Sequence, residues 1–169
     1  MKIFVTKSYF ENSKKHVGQI SDALADIRAE KYQAYTQDTN SWHDNFAYEH
    51  LTRQEKQTEK QLTNLMCDLD NMQIVDIESC DRSADVVGLY CWADVVMENL
   101  SDGAETKSRL GIVPLGDEDI AHNIYAYSMP IVYPLIGLSI GGEANICMPA
   151  GEIQITVLEI TKMAKEDLQ

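Results

Sequence analysis

The chain has 169 residues, 44% of them hydrophobic, and a formal net charge of −13; such a length builds one medium domain or two small ones, and nothing in the composition points to disorder. So acidic a chain is a poor candidate for wholesale nucleic-acid or independent DNA binding, which needs clustered Lys and Arg; it suits a basic protein surface, although plain soluble proteins are also commonly acidic. The charge is uneven, with nine basic against eleven acidic side chains in residues 1–75 and five against sixteen in residues 76–169.

The opening Met1-Lys2-Ile3-Phe4-Val5 is too short for a secretory signal, so a cytoplasmic protein is expected. From residue 7 to 73 the sequence reads as two helix-compatible stretches folded back on each other across a polar apex, Asp38-Thr39-Asn40-Ser41-Trp42-His43-Asp44-Asn45. In the first arm Phe10, Val17 and Leu24 occupy one seam position of a heptad and Ile20, Ile27 and Ala34 the other, with Ser13 and Lys31 out of character. The return arm carries Tyr48, Leu51, Leu62, Leu65, Leu69 and Met72 at compatible spacing, with Glu55 and Thr58 where apolar knobs would sit. If the chain reverses near Trp42, antiparallel pairing sets Lys31 against the stretch from Arg53 to Glu55, and a Lys31 to Glu55 contact fills a polar layer near the distal end. At about 1.5 Å per residue each arm extends roughly 45 Å. The two readings are a projecting finger and an ordinary helical hairpin.

After Met72 the helical period stops, which sets the boundary between residues 1–75 and 76–169. Strands are expected over Val86 to Met97, around Gly111-Ile112-Val113, and over Asn123 to Tyr127, Ala144 to Met148 and Ile153 to Ile160. In the last, Ile153, Ile155 and Val157 alternate with Gln154 and Thr156, and Pro149-Ala150-Gly151 reads as a hairpin turn. No Asp, Glu, Lys or Arg occurs from Ile120 to Gly142, yet Pro130, Pro134, Gly137, Gly141 and Gly142 punctuate that run, so it reads as packed strands and turns and no membrane span is expected. Pro130 suits the first position of a short helix and Pro134 does not suit its interior, so a single turn is expected there, leaving some apolar side chains for the surface or a partner. Cys67, Cys80, Cys91 and Cys147 form no close pair and suggest neither zinc nor redox chemistry.

Together these segments resemble the bacterial Gre transcript cleavage and elongation factors. Gly116-Asp117-Glu118-Asp119-Ile120 is similar to the family's Gly-Asp-Asp-Glu-Ala-Asp-Ile, and Met129 to Gly137 to its Ser-Pro-Ile-Ala-Arg-Ala-Leu-Ile-Gly. Gly141-Gly142 and the Pro149 to Glu152 hairpin follow in the family's order, and Ser41 to Tyr48 falls on the apex motif Asp-Leu-Ser-Glu-Asn-Ala-Glu-Tyr, with Asn45 and Tyr48 matching outright. The resemblance implies an α+β protein: an N-terminal antiparallel coiled-coil hairpin with its tip at 38–46, followed by a C-terminal domain of FKBP-like fold.

It also implies RNA polymerase as the partner. The C-terminal domain would dock beside the secondary channel, with Met129, Pro130 and Ile131 at the contact, and the tip would reach the catalytic magnesium. No stably bound cofactor and no enzymatic activity of its own are implied, because the tip side chains would serve the polymerase. The family's first tip acid falls on Ser41 and its second on Asp44, so Asp44 is the tip's metal ligand, with Asp38 and His43 as possible helpers. A hydroxyl brings no charge to a hard divalent cation, so both stimulation of cleavage and plain occupancy of the channel stand open. His43 is either a water-positioning base or simply exposed, and Trp42 either a binding contact or packing under the turn. Arg53, Lys56 and Lys60 would face extruded RNA at its 3′ end, or form a solvated face paired with Glu49, Glu55 and Glu59. A different class, a folding helper, would need an aromatic pocket, for which Tyr90, Trp92, Tyr125, Tyr127 and Tyr133 are the candidate rings.

Overall fold

In the computed structural model, the described residues are 2–37, 45–80, 85–148 and 151–168. They fall into two compact units, residues 1–3 with 8–73 and residues 4–7 with 74–169.

The first unit is a helical hairpin of α1 (Lys7–Gln37) and α2 (Phe46–Asn71). The heptad seam explains which residues leave solvent. On α1, Phe10, Ser13, Val17, Ile20, Leu24, Ile27, Lys31 and Ala34 are buried or half-buried, alternating by three and four residues; on α2, Leu51, Glu55, Thr58, Leu62, Leu65 and Leu69 repeat the spacing. The two polar intruders on α1 sit in the stripe as expected, and Ser13 satisfies its hydroxyl by donating to the Tyr9 carbonyl at 2.9 Å.

The second unit is built on a sheet ordered β5-β4-β3-β7-β6, with β3 (Cys91–Asn99), β4 (Glu105–Val113), β5 (Ile124–Ala126), β6 (Glu143–Met148) and β7 (Gly151–Lys162); the short strands β1 (Ile3–Val5) and β2 (Met72–Ile74) pair separately. All contacts within the five-stranded sheet are antiparallel except β4 with β5. Cys91, Ala93 and Val95 of β3 send one face into a core shared with Leu110, Ile112, Ile155, Val157 and Ile160. The period-two alternation of β7 slips at Leu158, because Val157 pairs with Val95 and Glu159 with Asp94. That bulge leaves Leu158 exposed and returns Ile160 to the inner face.

Two expectations need correction. The strand expected from Val86 starts only at Cys91, since Tyr90 adopts φ 55°, a left-handed conformation that turns the chain. Phe4–Lys7, assigned by sequence to the hairpin, groups with the second unit. Its backbone is the cause: the Thr6 amide donates to the Leu115 carbonyl at 2.9 Å and the Leu115 amide to the Phe4 carbonyl at 3.1 Å. The Pro149-Ala150 turn lies outside the described residues, although β6 and β7 pair as far as Met148 with Gly151.

Candidate functional site

The distal part of the hairpin is held by side chains as well as by its seam. Asn45 caps α2, its side-chain oxygen accepting from the Tyr48 amide at 2.9 Å, while its amide nitrogen donates to the Ala34 carbonyl of α1 at 2.9 Å. One residue thus starts the return helix and ties it to the outgoing one.

One turn further from the apex the expected polar layer is present. Lys31 donates to Glu55, whose other oxygen accepts from Arg28 Nε at 3.0 Å; Arg28 also donates to Glu59 at 2.6 Å. The two cations hold the Glu55 carboxyl below the usual glutamate range, Lys31 through its hydrogen bond first and Arg28 next, and the pairing raises Lys31 and Arg28 in return. Sequence reasoning found Lys31 and missed Arg28, which lies outside the seam and reaches in from the exposed flank; its spacing to two glutamates one turn apart was the available signal.

Arg53, Lys56 and Lys60 project from the exposed side of α2. Arg53 pairs with Glu49 at 3.5 Å. Glu55 and Glu59, the other anions considered for this face, are engaged across the hairpin instead. Asp38, Ser41, Trp42, His43 and Asp44 lie outside the described residues. Among the described residues no group of three His, Cys, Asp or Glu side chains is arranged to hold a metal ion.

In the second unit the segment from Met129 to Ile140 forms the single turn expected, one step later than Pro130. The turn is Tyr133–Leu135, with Pro134 in its first positions, where a missing amide hydrogen costs nothing. Val132 and Leu135 are fully buried and anchor it. Met129 and Ile131 are half-buried against the main core while Pro130 is exposed. The apolar side chains left outside are Tyr133, Ile136 and Ile140, at 57%, 40% and 58% exposure. Gly137, at φ 86°, turns the chain so that its amide donates to the Val87 carbonyl at 2.8 Å, and the Val87 amide returns a bond to Leu138. That exchange fixes the presented edge.

The five aromatic rings do not gather. Tyr90 is buried and donates to Asp117 at 3.0 Å, Tyr127 accepts from the Phe4 amide, Tyr125 packs on the main core, and Tyr133 faces solvent. Trp92 alone among them lines a cleft of about 570 Å³, whose other walls include Asp117, Glu118, Asp119, His122 and Asp167. Burial raises the Asp117 carboxyl above the usual aspartate range. No described helix is long and apolar enough to cross a membrane.

Residues 82–162 match the family model for the C-terminal domain of the transcription elongation factors GreA/GreB. Residues 82–162 thus carry a GreA/GreB-type C-terminal domain. It is 29% identical over 117 residues to transcription elongation factor GreA of Psychrobacter sp. (strain PRwf-1), covering 69% of this chain and 71% of that one. It is 27% identical over 119 residues to transcription elongation factor GreA of Thermoanaerobacter pseudethanolicus (strain ATCC 33223 / 39E), covering 70% and 72%. Among solved structures it is similar to GreA factor homolog 1 (Gfh1) of Thermus thermophilus, with TM-score 0.40 and 16% identity over 95% of this chain and 99% of that one. It is also similar to the elongation factor GreA/GreB from Nitrosomonas europaea, with TM-score 0.38 and 17% identity over 95% and 98%. The GreA/GreB match covers β3 to β7 together with the Tyr133 turn.

Proposed function

We propose that this chain is a transcription elongation regulator that binds RNA polymerase through its second unit and inserts the hairpin tip into the secondary channel, modulating backtracking and transcript cleavage. The observation that carries the reading is the double tie of Asn45, which keeps both arms together next to the apex. A tip delivered into another protein's reaction centre must not splay. In the second unit, Pro130 and the exposed Tyr133, Ile136 and Ile140 supply an apolar contact edge, with Met129 and Ile131 supporting it from beneath. Asp44 is the tip carboxylate assigned to the polymerase's magnesium, a hard cation that prefers oxygen ligands. The factor works by lending side chains to the polymerase, and is not itself an enzyme.

A second reading, occupancy of the channel without cleavage, is favoured by Ser41, which places a neutral hydroxyl where the family's first tip acid falls. Adding the protein to a backtracked polymerase complex and following the RNA 3′ end separates the two. Release of short 3′ fragments, abolished by Asp44→Ala, establishes cleavage. Pausing without fragments establishes occupancy. Unaltered cleavage, pausing and response to a separate cleavage factor rejects both.

A further inference from the structure

A cleft of about 330 Å³ opens on the flank of the hairpin between Arg28, Lys31, Tyr32, Tyr35 and Tyr48. Tyr32 and Tyr35 are exposed at 68% and 67%, well beyond what two large rings need to support a seam that already has its own apolar residues. Tyr35 and Tyr48 meet across the hairpin with centroids 6.0 Å apart at 48°, and Lys31 Nζ lies 5.9 Å from the Tyr48 ring centre. The rings therefore present flat π-faces beside cations.

Those cations are committed to Glu55 and Glu59, so the cleft has little free positive charge with which to draw a phosphate. An apolar peptide side chain would dehydrate the ion cluster and return no hydrogen bond. A heterocyclic base can stack on the rings and offer its polar edge to the ionic groups. The charge distribution agrees: residues 1–75 are close to neutral, while residues 76–169 carry most of the negative charge and would repel a nucleic acid.

We propose that the cleft of Tyr32, Tyr35 and Tyr48 stacks an unpaired RNA base. This deepens the reading above and rests on it for the presence of RNA; the cleft is distinct from the Arg53, Lys56 and Lys60 face considered for phosphate contacts. The test uses the full chain, labelled with carbon-13 in its tyrosine rings, titrated at moderate salt with hexaadenylate and with an abasic ribose-phosphate oligomer of equal length. The expected result is ring shifts at all three tyrosines with hexaadenylate and none with the abasic oligomer. Affinity falls about tenfold in the Tyr32→Ala/Tyr35→Ala double variant and is kept by Tyr32→Phe, since the stacking face survives. Both altered positions are exposed, and an unchanged helical circular dichroism spectrum verifies the fold. Equal shifts with the abasic oligomer, unchanged affinity in the double variant, or shifts with an apolar peptide but not with RNA would overturn it. Co-sedimentation of the unaltered chain with RNA polymerase is read separately: its failure counts against the proposed function, whereas the titration decides the cleft.

Discussion

The two units solve the same packing problem by different means. The sheet unit closes over side chains with nearly no solvent contact, among them Val95, Ile112, Val132, Leu135 and Val157. Among the described residues of the hairpin only Ile20 and Leu24 are buried, at 9% and 5% exposure, and the rest of the seam is half-covered and interrupted by an ionic layer. A two-helix unit has no third element to cover its flanks, so side-chain bonds must supply register that a thicker core would fix by shape. The contrast teaches where each unit is sensitive: the sheet to lost volume, the hairpin to lost polar ties and to protonation.

The sharpest way to break that contrast is Leu135→Ala. It empties a fully buried site under the Tyr133 turn, and should cost about 3 kcal/mol, measured by denaturant unfolding followed at Trp92 in a Trp42→Phe background. Helical signal from the hairpin serves as the internal comparison.

Asn45→Ala removes the cap of α2 and the bond to Ala34 together. A loss of roughly 1–2 kcal/mol is expected from the cap and the paired amide, read as a lower midpoint of the helical circular dichroism transition. An unchanged midpoint would mean that the seam alone holds the distal turns. Thr58→Leu moves the other way: an apolar knob at a half-buried seam position should stabilise the hairpin by about 1 kcal/mol in the same assay.

Acid should separate two carboxyls that the fold pushes in opposite directions. Glu55 is lowered by Lys31 and then Arg28, so its stabilising share is complete above the ordinary glutamate range and is lost as pH falls through its depressed folded value. Asp117 is raised by burial, so its ionised form costs stability at neutral pH, a cost relieved as pH falls through the raised value. Carboxyl carbon titrations should place Glu55 below and Asp117 above the usual positions. In Lys31→Met the displacement of Glu55 should shrink, Arg28 still remaining as a partner. The smallest effect is reserved for Lys56→Ala, on the exposed side of α2, which should leave unfolding within about 0.5 kcal/mol of the parent.

The hairpin was legible because its signal is periodic. Eight positions of α1, including Ser13 and Lys31, could be assigned to the seam from spacing alone, and antiparallel arithmetic brought Lys31 to Glu55. Arg28 escaped because long side chains cross to the partner helix from outside the period. In the sheet, the first residues of β4, Glu105 to Lys107, are polar and exposed and carry no strand signature; their pairing with Glu98 to Val96 is a tertiary decision. The start of β3 was placed too early because Val86 and Val87 look like strand, while the left-handed Tyr90 that delays it leaves no compositional trace. Motif resemblance does not say which of Met129, Pro130 and Ile131 turns outward; the buried anchors Val132 and Leu135 decide that.

The ionic layer has one further effect, on length. Sliding one arm by a heptad would keep most leucines in apolar company but leave Lys31 facing a hydrocarbon neighbour and Glu55 without its cations, a strongly unfavourable exchange. Seven residues of helix correspond to about 10 Å. Glu55 therefore works as the detent of a ruler, rejecting the miscounted alignment of one arm against the other.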